Sequence, residues 1–589
     1  MLFATSFMFL LGLLSVHAQQ DAPSNPASGT TSQPANSHTP TIQAEARLVV
    51  LDVTVTDSHG KPIAGLSKSD FTVLEDGKPQ QVKVFEKHGE VADQGEQAAP
   101  TDSGPIDASA NDKPARREEQ GPLNIVLLDA MNTQSTDQMR ARTAMLELLK
   151  TLPPGRKVAI FTLTNRLKEL QSFTSDRDAL IAAVNKTLIA KSNLTTENKR
   201  DDQEEIARMK AAGLPPQMVA NMRQFLEESQ SSSTDIRVQI TMQALREIAQ
   251  SVKGYPGRKN LLWVSGSFPF SIQPNIALKD PNGVVRDFSP AIRDTTAALS
   301  AAQVAIYSID PVGLGSQRPD SSYTSRLTYG DTPEGGVETI SRDMRAEALD
   351  SRTTMEEVAT ATGGHAFYNR NDIKLAMEHS IDLGSTYYTL AYTPLNRDYD
   401  GKLRHITVKL AHKDAHLAYR REYYASHEGS GLTVADKERD LMVALNPESP
   451  ALTGIHMKAA VNLPDTNGKT KVRFTIAPGQ FMADESAATA LDLMFVAVGW
   501  SAQGEDIGHS MLNVRVPPQK DMAERLQTQP VVVDQEVTVK PGVRYFRVGV
   551  LDRSTGQMGT LQADMPASYV ASHANGQASD ARSSPSQPH

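Results

Sequence analysis

The chain contains no cysteine in 589 residues. That excludes disulfides, thiolate metal sites, a cysteine nucleophile and a lipid anchor on cysteine, so its domains must be held by their cores alone. Positive charge is also short. The 60 Lys and Arg against 69 Asp and Glu leave a net charge of −9 and no basic surplus to neutralise phosphates, so nucleic acid is not an expected partner. Long apolar runs are missing as well. The run over residues 8–14 falls short of the roughly 20 residues that cross a bilayer. It leads into Val16-His17-Ala18, which places small residues where signal peptidase reads them. We therefore expect residues 1–18 to be a signal peptide and the mature chain to carry no transmembrane segment. Export to the periplasm, cell surface or exterior follows.

What the chain does contain is enough for several cores. Its charged fraction of 22% and hydrophobic fraction of 39% are those of a globular protein, and its length exceeds what one core supports. Residues 19–41 and the tail 568–589 are rich in Pro, Ser, Asn and Gln and are expected to be disordered. In ARLVVLDVTVTD, Val49, Leu51, Val53 and Val55 alternate with Val50, Asp52, Thr54 and Thr56, the pattern of a half-buried strand. DFTVLEDGKPQQVKVFEKH folds about Asp76-Gly77, a hairpin dipeptide. Residues 42–88 thus make an N-terminal β hairpin unit, too small to be stable alone, and residues 89–120 a charged linker.

From Asn124 short apolar runs (NIVLLDA, KVAIFTLT, KNLLWVSG, QVAIYSID, HAFYN, YYTLAYTP) alternate with helical periods. Helices are expected over 137–152, around 238–252, and over 291–303, 354–362 and 372–384. This alternation predicts an α/β domain over 121–395, with a mostly parallel sheet covered by helices on both faces and a polar helical insertion at about 180–233. Residues 396–426 read as a further β hairpin that packs with 42–88. A charged connector, 427–448, then leads to a β-sandwich over 449–567, whose many short alternating strands include KVRFTIAP and LDLMFVAVGW.

The blocks YPGRKNLLWVSGSFP at 255–269, VAIYSIDPVGL at 304–314, ATGGHAFYNRNDIKLAM at 361–377 and STYYTLAYTPLNRDYDGKLRHITVKL at 385–410 follow the strand ending in Asp129. In this order they resemble the VWFA-related domain of acidobacterial exported proteins, over roughly residues 42–425. The resemblance implies a doubly wound, Rossmann-like α/β fold of the von Willebrand factor A type, and the strand patterns read above flank it with all-β, immunoglobulin-like sandwich modules. It also implies a metal-ion-dependent adhesion site at the carboxyl edge of the sheet, with the pattern Asp-x-Ser-x-Ser plus a distant Thr and Asp. A hard cation there takes oxygen ligands.

Set against that pattern, Asp129 matches the first position, Met131 replaces the first serine, and Thr133 offers a hydroxyl at the second. Thr241 matches the distant threonine, with Thr234 as a competitor. Val264-Ser265-Gly266 stands where an Asp-Gly is needed, so the second carboxylate is missing. The metal candidates are Asp129, Thr133 and Thr241, for Mg²⁺ or Ca²⁺, but the expectation is a degenerate site without a cofactor. The alternative account of the same stretch is architectural: Ser135-x-x-Gln138 reads as a capping box, with Asp129 near the N-terminal dipole of the helix. Asp129, Asn132, Thr133, Ser265, Ser267 and Asp310 are then the expected lining of a crevice that recognises a protein partner.

Other constellations are weaker. Asn396-x-Asp398-x-Asp400-Gly401 opens like a calcium loop but has Thr407 where a bidentate Glu is required. His412 and His416 fall at a turn rather than on a helix, and Ser265-Gly-Ser267 lacks the Gly-x-Ser-x-Gly elbow. No enzyme is expected. The reading is an exported binding or adhesion module, with a cation-dependent adhesin or an envelope assembly scaffold as alternatives.

Overall fold

Four strands come first among the described residues of the computed structural model. It describes residues 48–89, 122–186, 205–266, 289–313, 353, 355–396, 398, 400–411, 415–426, 431–481, 491–517, 521–566 and 569. The expected signal peptide and disordered segment, the linker from residue 90, residues 187–204 of the helical insertion, Ser267 and the tail from residue 570 lie outside the described residues. The four strands are β1 (Val49–Thr56), β2 (Phe71–Glu75), β3 (Lys78–Gln80) and β4 (Val82–His88). β2 and β3 form the hairpin at Asp76-Gly77, whose φ angles of 47° and 78° are the left-handed pair that a two-residue turn requires. β4 leaves that hairpin and pairs elsewhere.

The α/β part follows as β5 (Leu123–Asp129), α1 (Ser135–Thr151), β6 (Val158–Leu163), β7 (Leu167–Thr174), α2 (Arg177–Lys186), α3 (Pro216–Val252), β8 (Lys259–Val264), α4 (Ser289–Ala301), β9 (Val304–Ile309), β10 (His365–Phe367) and α5 (Ile373–Leu383). The six strands order as β10-β9-β8-β5-β6-β7, all parallel except β7, which runs against β6. β5, β6, β8 and β9 are buried at every residue, which is why they read as continuous apolar runs rather than alternations. Ile125, Leu127, Leu261 and Trp263 pack against α3 and α4. Val126, Leu128, Leu262 and Val264 pack against α1, α2 and α5 on the other face.

The helical insertion does not end at 233. α3 is one helix of 37 residues, about 55 Å long, that starts at Pro215-Pro216 and runs without a break into the core. Its first half carries exposed Met218 and Phe225, and its second half buries Val238, Met242, Leu245 and Ile248.

YYTLAY, which the sequence placed in the α/β sheet, does not join it. As β11 (Tyr387–Tyr392) it lies between β1 and β4, in a sheet of order β13-β1-β11-β4. β12 (Leu403–Leu410) pairs with β2 and with β14 (Glu422–Tyr424) in the sheet β14-β12-β2-β3, while the short β13 (His416–Ala418) crosses to β1. Residues 396–426 are therefore not a simple hairpin. The two sheets share a core of Val53, Phe71, Tyr388, Leu390, Ile406 and Val408, so the α/β part is an insertion between β4 and β11 of one β unit. Arg258 fastens the two. Its buried guanidinium donates to Gly363 O at 2.8 Å, the Tyr307 hydroxyl at 3.2 Å and Asp52 O at 3.3 Å.

The segment expected as a connector contains α6 (Val434–Ala444), started by a capping box between Thr433 and Asp436. Beyond it β15 (Met457–Val461), β16 (Lys469–Ile476) and β19 (Val531–Thr538) face β17 (Leu491–Trp500), β18 (Asp506–Val516), β20 (Tyr545–Asp552) and β21 (Met558–Asp564), with α7 (Met522–Thr528) between β18 and β19. The sheets β15-β16-β19 and β18-β17-β20-β21 enclose one core. α6 covers the outer face of β17 and β20 through Leu441 and Leu445.

This C-terminal part is clamped to α3. The Thr453 hydroxyl donates to Ser251 O at 2.9 Å and accepts from Gly254 N at 2.9 Å, and Arg246 grips the Asp440 carboxylate with two nitrogens. Glu247 is buried in the same junction. Burial, with a smaller push from Asp440, outweighs the pull of Arg547 and raises its carboxyl to about 8. A carboxyl whose folded pKa lies above its unfolded value contributes full stability below about pH 4.3, and that stability is lost as pH rises through the folded pKa. Thermal melts should therefore show a fall in stability on the order of a few kcal/mol between about pH 5 and 8.5, and Glu247→Gln should flatten it. An unchanged pH profile in the variant would assign the effect elsewhere.

Among the described residues no helix is long and apolar enough to cross a membrane.

Candidate functional site

The strand order reverses between β5 and β8, which lie side by side and lead to opposite halves of the sheet. Open α/β sheets bind ligands outside the carboxyl ends of such a pair. Asp129 ends β5 there, and Ser265 follows the end of β8.

Asp129 is 2% exposed and accepts four hydrogen bonds. Its Oδ1 takes Asn132 N at 3.0 Å, and its Oδ2 takes Asn132 Nδ2 at 2.8 Å, Trp263 Nε1 at 3.0 Å and the Ser265 hydroxyl at 3.0 Å. Burial raises the Asp129 pKa, and the bonds from Asn132, Trp263 and Ser265 work against that rise. The Asn132 amide continues the chain of contacts. Its Nδ2 also donates to the Thr241 hydroxyl at 3.0 Å, and its Oδ1 accepts from Arg237 Nε at 2.9 Å. A buried carboxylate and a buried guanidinium are thus joined through one amide. Arg237 and Thr241 can both reach it because they are four residues apart on α3 and share a helix face.

This set of residues does not fit a hard cation. Mg²⁺ and Ca²⁺ sites draw on several oxygen ligands, commonly with more than one carboxylate. Here an amide nitrogen, a donor only, bridges the carboxylate and the threonine hydroxyl at hydrogen-bond distance from both. Met131 is wholly buried in the core beneath the sheet's end. Among the described residues no group of three or more His, Cys, Asp or Glu is arranged to hold a metal ion.

The expected site residues separate into three groups. Asp129, Asn132, Thr241 and Ser265 form one hydrogen-bonded chain, whereas Thr133 stands beside it and accepts from Gly266 N at 2.9 Å. Asp310 caps its own turn by accepting from Val312 N at 2.7 Å. Ser267 lies outside the described residues, and Thr234 lies on α3 seven residues before Thr241. The capping box expected at Ser135 and Gln138 is not formed. Gln134 is the N-cap residue of α1 and makes no side-chain cap, while Gln138 Nε2 donates to Ala130 O at 3.0 Å and Thr133 O at 2.8 Å. Its amide braces the loop below Asn132 instead of pairing with Ser135. Asp129 is accordingly held by loop and β8 donors, not by the helix terminus. The calcium-like turn is engaged too: Asp400 accepts from Lys402 N and pairs with Arg404 at 3.0 Å.

Trp263 and Arg237 went unread in the sequence. The signal for the first was there, since a buried indole needs an acceptor and Trp263 is one of only two tryptophans, two residues before Ser265 at a strand's end.

No family model and no curated protein matches the chain. Among solved structures it is similar to proximal thread matrix protein 1 from the mussel byssus, at 11% identity over 45% of this chain and 48% of that one, with a TM-score of 0.24. It is also similar to an aerotolerance-related membrane protein from Bacteroides fragilis (10% identity, 44% of this chain and 99% of that one, TM-score 0.21). A third is von Willebrand factor type A from Catenulispora acidiphila (9% identity, 78% of this chain and 71% of that one, TM-score 0.20). The chain spans about half the length of the first of these. Likeness at this level carries no argument about fold or activity.

Proposed function

We propose that this chain is an exported, non-enzymatic protein-binding or adhesion module. In this reading its α/β part is a doubly wound, von Willebrand factor A-like domain with a degenerate adhesion site, and its C-terminal sandwich is immunoglobulin-like. The observation that carries the reading is the hydrogen-bond network around Asp129, in which Asn132 occupies the place between carboxylate and threonine that a cation would need. Recognition at the carboxyl edge is then metal-independent and rests on the loops that this network holds in place. The strand order, with its reversal between β5 and β8 and one antiparallel edge strand, supports the fold assignment.

Calorimetric titration of the protein with Mg²⁺, Mn²⁺ and Ca²⁺ tests it. We expect no saturable heat and no change in melting temperature with a chelator. Stoichiometric binding of any of the three, accompanied by stabilisation, would restore the cation-dependent adhesin.

A further inference from the structure

A second surface lies along the lateral edge of the α/β sheet rather than at its carboxyl end. It is a groove of about 810 Å³ between β10 and the N-terminal β unit, lined by successive residues of β10, by β13, by the turn after β1 and by α5. That volume is in the range of sites that hold a ligand. Both strands are sheet edges: among the described residues β10 pairs with β9 alone and β13 with β1 alone. Side chains of neighbouring strand residues point to opposite faces, so a groove touched in succession by Gly364 to Tyr368 and by His416 to Ala418 is met by strand edges and not by one face. Just before β10 the chain at Gly363 lies close against the backbone of Tyr419 and Arg420.

The side chains around it have an unusual composition. Four of the chain's 14 histidines line it: His59, His365, His379 and His416, all exposed. Lys61 and Arg370 add permanent positive charge, and Arg370 is held over the Phe367 ring at 5.9 Å. The opposing carboxylates are Asp382 in the lining, Glu356, which faces Tyr368 and His365, and Asp57, which is already engaged by the backbone N–H groups of His59 and Lys61. With the histidines neutral these charges nearly cancel. With them protonated the groove is strongly positive. Partial burial of the His365 ring, together with the charges of Arg370 and His379, holds its pKa below the usual histidine range against the pull of Glu356, so its share of the change comes at the acid end.

We propose that this groove binds an extended acidic peptide segment of a partner protein, which adds its backbone to the open edge of β10 and sets carboxylates against His59, His365, His379 and Arg370. Open strand edges favour a peptide over a polyphosphate, since they supply paired N–H and C=O groups that only another backbone completes. Binding strengthens as pH falls, because each protonated histidine adds a charge complementary to the ligand.

The test is fluorescence titration of the whole protein with a labelled alternating Asp-Val peptide of roughly eight residues, which is long enough to span an edge strand. Saturable binding is expected at about pH 5.5, weaker by about tenfold or more at about pH 7.5. The double variant Arg370→Ala, His379→Ala should lose about tenfold at the lower pH with its melting temperature unchanged. The same Asp-Val peptide with every backbone amide N-methylated keeps its charge but lacks the N–H groups for strand pairing, and should bind weakly. Equal binding of the N-methylated peptide or of oligothymidylate would reduce the groove to a charged surface and overturn the proposal. So would failure of the Asp-Val peptide to bind at the lower pH, or indifference to the double variant.

Discussion

Asp129→Ala is expected to lower the free energy of unfolding by about 3–5 kcal/mol, as measured by urea denaturation. The carboxylate is the common acceptor for the Asn132 backbone N–H, the Asn132 amide, the Trp263 indole and the Ser265 hydroxyl. Removing it strips an acceptor from four donors at once, and each buried donor left unsatisfied costs about 1–3 kcal/mol before relaxation. Asp129→Asn should cost less, because one oxygen remains, but it turns an NH₂ toward groups that are themselves donors. If Asp129 were instead a ligand in a cation site, the protein without metal would be indifferent to its loss, or stabilised by removal of a buried charge. A midpoint unchanged by Asp129→Ala would therefore sink the architectural account.

Arg258→Met is expected to cost a comparable amount, about 3–5 kcal/mol, with a different signature. Arg258 begins beside β8, yet its guanidinium bonds reach the Gly363 carbonyl, the Tyr307 hydroxyl and the Asp52 carbonyl, while its backbone N–H donates to the Tyr387 hydroxyl at 3.1 Å. Methionine fills much of the volume but satisfies none of these acceptors. The loss should appear in hydrogen exchange as faster opening of β1 and β11, where the β unit meets the inserted sheet, with the interior of β5 and β6 less affected. Uniform loss of protection across all sheets would show that Arg258 does not act at the junction.

The sequence was most readable where the burial pattern is simple. The runs NIVLLD, VAIFTL and KNLLWV became β5, β6 and β8, because a strand covered on both faces has no polar residues to disguise it. The same property misplaced YYTLAY. β11 is buried at all six residues, so it reads like a strand of the parallel sheet although it is the centre of an antiparallel one. Only its partners distinguish the two, and these lie far away in sequence. α6 failed for the opposite reason. Its charges suggested a connector, but the Thr433 to Asp436 capping box and the spacing of Leu441, Ala444 and Leu445 carry a helix signal that charge content obscured. At the candidate site Asp129, Asn132, Thr133 and Ser265 were legible from the ends of apolar runs. Which atom bonds which was not, since the role of Asn132 depends on Arg237 and Thr241, placed by a helix more than a hundred residues downstream.

The insertion of the α/β part between β4 and β11 also sets an order in time. As the chain emerges β1 to β4 come first, yet β1 and β4 have no sheet to join until β11 follows, and β2, paired with β3 on one edge, must wait for β12 on the other. The inserted sheet draws its strands from a shorter stretch of chain and closes earlier, since contacts near in sequence form sooner than distant ones. Its closure brings Leu123 and Leu383, the start of β5 and the end of α5, into one body and so carries the two halves of the β unit toward each other. Until then β1, β4 and the β2-β3 hairpin wait with apolar faces and unpaired edges, and the protein's greatest exposure to misassembly falls in that interval.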